Sequence, residues 1–123
     1  DWYLQLRLNG DSGSNYNFIN QYISASGVAS TIAVQTSTQF YNDGAIEATD
    51  NNVFAVYTIE DPANTNTRKL VSSYCIYRDA TNTFNATGTL YGQWFATPAA
   101  VTSVTFNPSS TFSTGTYEVY GVA

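Results

Sequence analysis

The chain has 123 residues, a net charge of −5 and only four basic side chains; 43% of its residues are apolar and 11% are charged. This length fits a single domain, residues 1–123, with enough chain to bury a core. Binding to nucleic acid or to anionic membranes depends on clustered Lys and Arg, so the composition argues against both kinds of partner.

Small polar and aromatic residues make up much of the remaining composition. The sequence contains 17 Thr, 12 Ser and 12 Asn, together with 10 Tyr and 7 Phe. Thr and the aromatic residues favour strands, whereas Ser and Asn favour turns. This mixture predicts short strands that are joined by many loops.

The first predicted strand covers residues 2–9, where apolar and polar residues alternate strictly. Its apolar face consists of Trp2, Leu4, Leu6 and Leu8. We expect the three leucines to be buried, and Gln5 and Arg7 on the other face to be exposed. Residues 9–15 contain two glycines and several small polar residues, which predicts a loop.

The region between residues 16 and 59 contains two clear strand patterns. Residues 31–36 predict a strand, and residues 53–59 are apolar on both faces, which predicts a central strand. Residues 16–22 are ambiguous, because asparagine and glutamine interrupt their aromatic pattern. Asn42-Asp43-Gly44 is a turn signal.

The second half of the chain continues in the same way. Residues 67–78 predict a long strand, and residues 79–87 a polar loop. Further strands are predicted at residues 88–96, 101–106 and 117–122. Seven or eight strands at intervals of about ten residues predict an all-β fold, and the long loops favour a jelly-roll-like β-sandwich over a barrel.

Several kinds of catalytic site are excluded by composition. The chain contains no His, which rules out a Ser-His-Asp triad, a Cys-His pair and a His-ligated metal. The single cysteine, Cys75, rules out an internal disulfide. Its apolar neighbours predict a small core residue with a raised pKa rather than a nucleophile.

Paired carboxylates are the remaining route to catalysis. Asp43, Glu47 and Asp50 lie close together in sequence, and Glu60 and Asp61 are adjacent. A glycosidase needs two carboxyl groups that face each other across a cleft, and nothing in the sequence indicates such a pair. We therefore predict that the chain is not an enzyme and hydrolyses no host glycan.

Oxygen-bearing side chains cluster in the loop after the first strand, where Asp11, Ser12, Ser14 and Asn15 lie within five residues. Calcium prefers such ligands. The residues from which a calcium site could be built are Asp11, Asn15, Asp43 and Asp50. Their spacing is not that of an EF-hand, and turn capping explains the same residues, so we predict no cofactor or resident metal.

Aromatic residues are the stronger functional signal. Some of the tyrosines must lie on outer strand faces, where they can stack on sugars or fill a subunit interface. The candidates for an interface or a glycan-binding surface are Tyr3, Tyr41, Tyr91 and Trp94; packing in the core is the alternative for each. Asn85-Ala86-Thr87 matches a glycosylation acceptor, a pattern that often arises by chance.

Three segments resemble virion structural proteins of tailed bacteriophages. Residues 3–16, YLQLRLNGDSGSNY, are similar to an LxLRxNGDxGxNY segment of those proteins. Residues 94–106, WFATPAAVTSVTF, and the later VYGV at residues 119–122 resemble their closing W-x-T-x-AAIxSIxL and LYGI segments. Residues 64–69, NTNTRK, stand where those proteins carry a YxNTxxxK element.

The resemblance covers most of the chain and implies a β-sandwich module of a tail fibre, minor tail protein or head decoration, with no catalytic residues. It implies a place on the surface of the virion and contacts with other virion proteins and with identical copies, expected as a homotrimer. A host-surface glycan is a further ligand that it suggests. The main alternative is a carbohydrate-binding module that recognises glycans through exposed aromatic residues.

The start of the chain departs from that family, whose members usually carry one or two strands before the LRxNGD segment. The chain begins at Asp1 and contains no Met. We therefore expect a piece of a longer polypeptide, or a chain that receives those strands from another chain.

Overall fold

The computed structural model describes residues 4–23, 26–42, 53–78, 84–108 and 115–121. In these ranges the protein is all-β, with two antiparallel sheets, which confirms the predicted fold class. No helix that could span a membrane occurs in the described part of the chain. The strands are β1 (Leu4–Leu8), β2 (Tyr16–Ile23), β3 (Ala29–Ser37), β4 (Phe40–Tyr41), β5 (Val53–Ile59), β6 (Lys69–Arg78), β7 (Phe84–Trp94) and β8 (Val104–Pro108).

The two sheets differ in size. The smaller sheet has the order β4-β1-β8, and the larger has the order β3-β2-β7-β6-β5. The first strand pairs with the eighth and the second with the seventh, which is the nested pairing of a jelly roll. The other strands of the larger sheet pair with their neighbours in the chain. The result is a β-sandwich that is jelly-roll-like in its outermost pairs.

The core lies between the sheets, and the inward-facing residues of β1 form part of it. Leu6 and Leu8 are fully buried, whereas Leu4 is half-buried. Gln5 and Arg7 are half-buried rather than exposed; Arg7 Nε donates a hydrogen bond of 3.2 Å to the carbonyl of Thr38. The core is completed by Tyr16, Phe18, Phe40, Val71, Leu90 and Trp94.

The ambiguous residues 16–22 form most of β2. Asn20 occupies an inward-facing position and is buried, because its Nδ2 donates a hydrogen bond of 2.6 Å to the carbonyl of Tyr41. A buried amide needs such a partner to offset the loss of water. The contact also joins β2 of the larger sheet to β4 of the smaller one.

A chain of polar contacts joins the sheets a second time. Ser73 Oγ donates to Asn42 Oδ1 at 2.8 Å, and Asn42 Nδ2 donates to the Tyr57 hydroxyl at 3.3 Å. That hydroxyl donates to the carbonyl of Leu4 at 3.2 Å. Burial, with a smaller effect of nearby Cys75, raises the pKa of Tyr57, so the phenol stays a neutral donor.

The prediction of a central strand at residues 53–59 is wrong. Among the strands that the structure describes, β5 pairs with β6 alone and forms an edge of the larger sheet. Its outward side chain Phe54 is exposed and lies beside Tyr74, with ring centroids 6.0 Å apart. The strand is apolar on both faces because the outward side of this sheet is itself apolar.

Other boundaries also differ from the predictions. β4 was missed because two residues carry no periodic pattern. β7 begins at Phe84, inside the predicted loop at residues 79–87, and β8 begins only at Val104. Residues 115–121 form no strand, although a strand was predicted at residues 117–122. Most of the predicted turn at Asn42-Asp43-Gly44 lies outside the described residues.

Candidate functional site

The loop between β1 and β2 begins with a left-handed turn. Asn9 has a φ of 52° and Gly10 a φ of 66°. The backbone N–H of Asp11 closes the turn by donating to the carbonyl of Leu8 at 3.0 Å. Two successive positive φ angles are typical of a type I′ turn, which Asn-Gly adopts at little cost.

The side chain of Asn9 connects this turn to the segment before β8. Its Oδ1 accepts hydrogen bonds from the backbone N–H groups of Thr102 at 2.7 Å and Ser103 at 3.1 Å. Its Nδ2 donates to the carbonyl of Ala100 at 2.8 Å. These contacts hold residues 100–103 as a loop, which explains why β8 starts later than predicted.

Asp11 is the acceptor at the centre of the loop. Its Oδ1 accepts from the backbone N–H of Gly13 at 2.8 Å, and its Oδ2 accepts from Asn15 Nδ2 at 2.9 Å and from Trp94 Nε1 at 2.6 Å. Partial burial by itself would raise the pKa of Asp11. The hydrogen bonds from Trp94, Asn15 and Gly13, together with the charge of Arg7, outweigh that effect and lower the pKa below its usual value.

These contacts give a structural role to two of the four residues considered as calcium candidates. Asp11 and Asn15 do lie together, but they bond to each other, and both carboxylate oxygens of Asp11 accept from N–H donors. Asp43 and Asp50 lie outside the described residues. Across the described part of the chain, no three Cys, Asp or Glu side chains are grouped so that they could hold a metal.

Of the carboxylates considered for catalysis, Glu60 lines a described groove, and no second described carboxylate lines that groove. Asp61 Oδ2 accepts from Asn64 Nδ2 at 2.7 Å in the turn after β5, and Glu60 is exposed beside it. This geometry is that of a carboxylate capping a turn. The other three, Asp43, Glu47 and Asp50, lie outside the described residues.

Cys75 lies on the inward side of β6 and is 4% exposed, as predicted for a core residue. Burial raises the pKa of its thiol to about 11, and a hydrogen bond with the backbone of Gly88 only partly opposes this. The thiol therefore stays protonated at neutral pH and is a poor nucleophile.

Lys69, at the start of β6, is completely buried. Its Nζ donates hydrogen bonds to the carbonyls of Asn64 and Thr67. A buried ammonium group is costly unless it is hydrogen-bonded, so these carbonyls explain how the lysine is tolerated. The side chain thereby organises the loop of residues 64–69.

The four aromatic candidates have different environments. The prediction that Trp94 lies on an exposed surface is wrong. Its side chain is 5% exposed, because the ring packs in the core and the indole N–H donates a hydrogen bond to Asp11. Trp94 therefore offers no surface on which a sugar could stack. Tyr41 is half-buried and packs edge-to-face on Phe18, with centroids 4.9 Å apart. Tyr91 is 58% exposed and stays a candidate. The fourth, Tyr3, lies outside the described residues.

Tyr91 belongs to an apolar surface that we call the outer face, the side of the larger sheet turned away from the smaller sheet. Its exposed apolar residues are Ile19, Ile23, Phe54, Leu70, Tyr74, Ile76 and Tyr91. Strand register places them together: Ile19 is opposite Tyr91, and Ile76 is opposite Phe54. Their positions alternate with the buried positions on the same strands.

Among the described side chains of the outer face, Glu60 carries a charge, just after the end of β5. Thr and Gln side chains fill the positions between the apolar ones. A groove of about 660 Å³ lies at one end of this face, where Asn17, Glu60, Leu70 and Tyr91 are among the residues that line it. A contiguous apolar patch of this kind on a protein surface marks a contact site.

Sequence reasoning found only Tyr91 of this surface. The signal was present, because residues 53–59 and 70–76 are apolar at both odd and even positions. For residues 53–59 this pattern predicts a central strand that is buried on both sides. An exposed apolar face produces the same pattern, and only the strand order separates the two cases.

Two of the segments that carry the sequence resemblance meet in three dimensions. Asn9 and Asp11 of the first segment bind Ala100 and Trp94 of the closing segment. The intermediate segment, residues 64–69, is held by its own lysine. No protein family, curated protein or solved structure matches the chain. The support for a function therefore lies in these contacts and in the outer face.

Proposed function

We propose that this domain is a non-enzymatic structural protein of a tailed-bacteriophage virion, in a head decoration or a tail fibre, and that it acts through protein–protein contacts. The outer face carries this proposal. It is rich in exposed aromatic and aliphatic side chains, and Glu60 is the one charged side chain among its described residues, in a chain with a net charge of −5. The cores of protein interfaces are enriched in aromatic residues and depleted in Lys, Glu and Asp.

The contacts of the motif residues give further support. Asn9, Asp11, Trp94 and Lys69 stand in the segments that resemble virion proteins, and each makes a hydrogen bond that joins loops or strands. These hydrogen bonds stabilise the fold, as expected if the motifs belong to a structural module of the virion. The resemblance brings no catalytic residues, and the carboxylates of Asp11 and Asp61 accept hydrogen bonds within their own turns.

The partners that we propose are identical copies, in a three-fold arrangement, and other proteins on the particle surface. Because Glu60 is the one described charge on the outer face, contacts through this face depend mainly on apolar burial. Their affinity is therefore expected to change little with salt concentration.

Tailed particles purified from the source material provide the test. Mass spectrometry is expected to detect this chain together with capsid or tail proteins. In reconstitution, Tyr74→Ser and Tyr91→Ser should reduce association with particles, whereas Tyr120→Ser, an exposed tyrosine outside the outer face, should not. A chain absent from intact particles would contradict the proposal.

A carbohydrate-binding module is the second candidate, favoured by one observation. Tyr74 and Tyr91 are both exposed and are diagonal neighbours on the outer face, since Tyr91 pairs with Ser72 and Tyr74 with Thr89. Exposed aromatic rings can stack on sugar rings. Glycan-array binding by the monomer that is lost in Tyr91→Ala, without association with particles, would favour this second function.

A further inference from the structure

The groove at one end of the outer face is lined by two rows of outward side chains, and the register of β2, β7 and β6 defines both rows. The first row consists of Asn17, Gln93 and Leu70, and the second of Ile19, Tyr91 and Ser72. Between the rows, Gly92 stands opposite Phe18 and Val71, and all three line the groove although both of those side chains are buried. The groove therefore reaches the backbone of the sheet.

The groove has the volume of a small-molecule binding site. Its volume of about 660 Å³ lies within the range of roughly 300 to 1,000 Å³ that is typical of ligand pockets. Its lining extends from Ala33 on β3, across β2 and β7, to Ser72 on β6. Neighbouring strands are about 4.8 Å apart, so this width of the sheet covers roughly 14 Å. A ligand that fills this length is longer than a single sugar ring.

A bulge and a strained residue border the groove. The pairing of β2 with β3 shifts between Tyr16 and Phe18, so that Gln35 and Thr36 both stand opposite Asn17. Thr36 has a φ of 57°, a left-handed conformation that β-branched residues rarely adopt. Its backbone N–H donates to Asn17 Oδ1 at 2.8 Å, which fixes the orientation of that amide. Bulges and strained backbone are concentrated at functional sites, where they re-aim side chains such as Gln35.

The lining combines an aromatic ring with side chains that both donate and accept hydrogen bonds. Tyr91 is 58% exposed, and a tyrosine ring can stack on the apolar C–H face of a sugar. Amide and hydroxyl groups carry both donors and acceptors. Those in the groove belong to Asn17, Gln35, Gln93 and Ser72. Sugar hydroxyl groups also donate and accept, so the two sets of groups are complementary.

Charge narrows the class of ligand. Glu60 is the one charged side chain among the described residues that line the groove, and none of them is Lys or Arg. Phosphate, sulfate and carboxylate groups are recognised mainly by basic side chains, so an anionic ligand would meet only repulsion here. A wholly apolar ligand would bury the amides without hydrogen-bond partners, which is costly. A ligand with apolar ring faces, hydroxyl edges and no negative charge avoids both penalties.

The place of the groove in the sheet argues against an extended peptide. Such peptides bind mainly through their backbone at a free strand edge. The groove instead lies on the face of the sheet, over β2 and β7, and each of these strands pairs with a neighbour on both sides. Recognition in the groove therefore depends on side chains.

We propose that this groove binds a neutral oligosaccharide. The Tyr91 ring stacks on the C–H face of one sugar, and the amides of Asn17 and Gln93 bond to hydroxyl groups along the chain of sugars. Glu60 accepts a hydrogen bond from a further hydroxyl group and repels anionic sugars. Such binding does not depend on a place in the virion, and it gives the second candidate function a defined site and a class of ligand.

An array of neutral, sialylated and sulfated oligosaccharides tests the proposal with the purified chain. We expect binding to neutral oligosaccharides, and at least about tenfold weaker binding to sialylated forms of the same glycans. Isothermal titration calorimetry with the strongest neutral ligand of the array then gives the dissociation constant. Binding to no neutral oligosaccharide, or a preference for the anionic forms, would overturn the inference.

Variants locate the site on the sheet. Tyr91→Ala should raise the dissociation constant about tenfold, Gln93→Ala about three- to tenfold, and Tyr91→Phe, which keeps the ring, much less. Phe54→Ser removes an exposed aromatic residue of the outer face that does not line the groove, so it should leave the affinity unchanged. Urea midpoints show whether each variant folds. Binding that survives both alanine substitutions would place the sugar elsewhere and overturn the inference.

Glu60→Gln tests the selection by charge. The ratio of the dissociation constants for sialylated and neutral forms of one glycan should fall about threefold or more, because the repelling carboxylate is removed. An unchanged ratio would contradict the role of Glu60.

Particle analysis separates this inference from the proposed function. If the chain binds neutral oligosaccharides through the groove but is absent from particles, the proposed function fails alone. If the chain is found on particles but binds no neutral oligosaccharide, the glycan site fails alone.

Discussion

Trp94 Nε1 lies 2.6 Å from Asp11 Oδ2, so an indole at the end of β7 donates a hydrogen bond to a carboxylate 83 positions earlier in the chain. The backbone N–H of Phe95 donates to the carbonyl of Asn15 at 2.8 Å beside it. These two bonds fasten the loop after β1 to the larger sheet. A charge-assisted hydrogen bond of this kind is stronger than one between neutral groups.

Asp11→Asn is expected to lower the free energy of unfolding at pH 7 by about 1 to 3 kcal/mol, measured by urea denaturation. Both carboxylate oxygens accept from N–H groups, so an Asn side chain must place its own NH₂ group against at least one donor. Trp94→Phe tests the same contact from the other partner, and the double variant should lose less than the sum of the single losses.

The same variant should also change the dependence of stability on pH. The pKa of Asp11 is lower in the folded protein than its ordinary value of 3.8. Its stabilising contribution is therefore complete well above pH 3.8 and is lost as the pH falls through 3.8 toward the lower folded-state pKa. Asp11→Asn should lose less stability over that interval than the parent protein. Equal losses in the two proteins would contradict this account.

Leu6→Ala is expected to cost about 2 to 5 kcal/mol, because Leu6 is fully buried and the substitution leaves a cavity. Leu70→Ala removes the same atoms from a side chain that is 57% exposed, and it is the matched control. Urea midpoints of both variants, measured where the chain is monomeric, give the comparison. Similar shifts in the two variants would show that β1 does not anchor the core.

Gly92→Ala should destabilise the protein by about 1 to 3 kcal/mol or prevent folding. A Cβ atom at this position would lie 2.5 Å from the carbonyl oxygen of Asn17, 2.5 Å from Phe18 Cβ and 2.9 Å from Phe40 Cε1. The backbone of Asn17 cannot move away without disturbing the pairing of β2 and β7. Gly115→Ala adds its Cβ in open space and should be nearly neutral in thermal denaturation.

Cys75 should react slowly with iodoacetamide at pH 8. With a pKa of about 11, about one thiol in a thousand is ionised there, and the side chain is also 4% exposed. Unfolding in urea should accelerate labelling by at least about a hundredfold, since both barriers are removed. Labelling of the folded protein as fast as of the unfolded protein would show that β6 is not held in the core.

Local pattern was sufficient for several of these features. The alternation along β1 predicted the burial of Leu6 and Leu8, and the apolar neighbours of Cys75 predicted its place in the core. Asn9-Gly10 stood in a predicted loop, where it forms a turn. Each of these signals lies within a few residues, because side chains alternate with a period of two and turns need particular backbone angles.

Features that depend on which strands pair could not be predicted from local sequence patterns. Residues 53–59 are apolar on both faces in sequence, whether they form a central strand or an edge of a sheet with an apolar outer face. Trp94 was a candidate for surface stacking until its contact with Asp11 placed it in the core. β4 is two residues long and exists only because β1 lies beside it.

The amino-acid sequence by itself determined the fold class, the acidic and His-free chemistry, and the inward residues of β1. Tertiary structure decided the strand order, the burial of Lys69 and Trp94, and the gathering of Ile19, Tyr74 and Tyr91 on one apolar face. The physical reason is the range of the interactions. The alternation of apolar and polar residues is visible within a single strand. The neighbours of that strand depend on hydrogen bonds and packing between residues that are far apart in the chain.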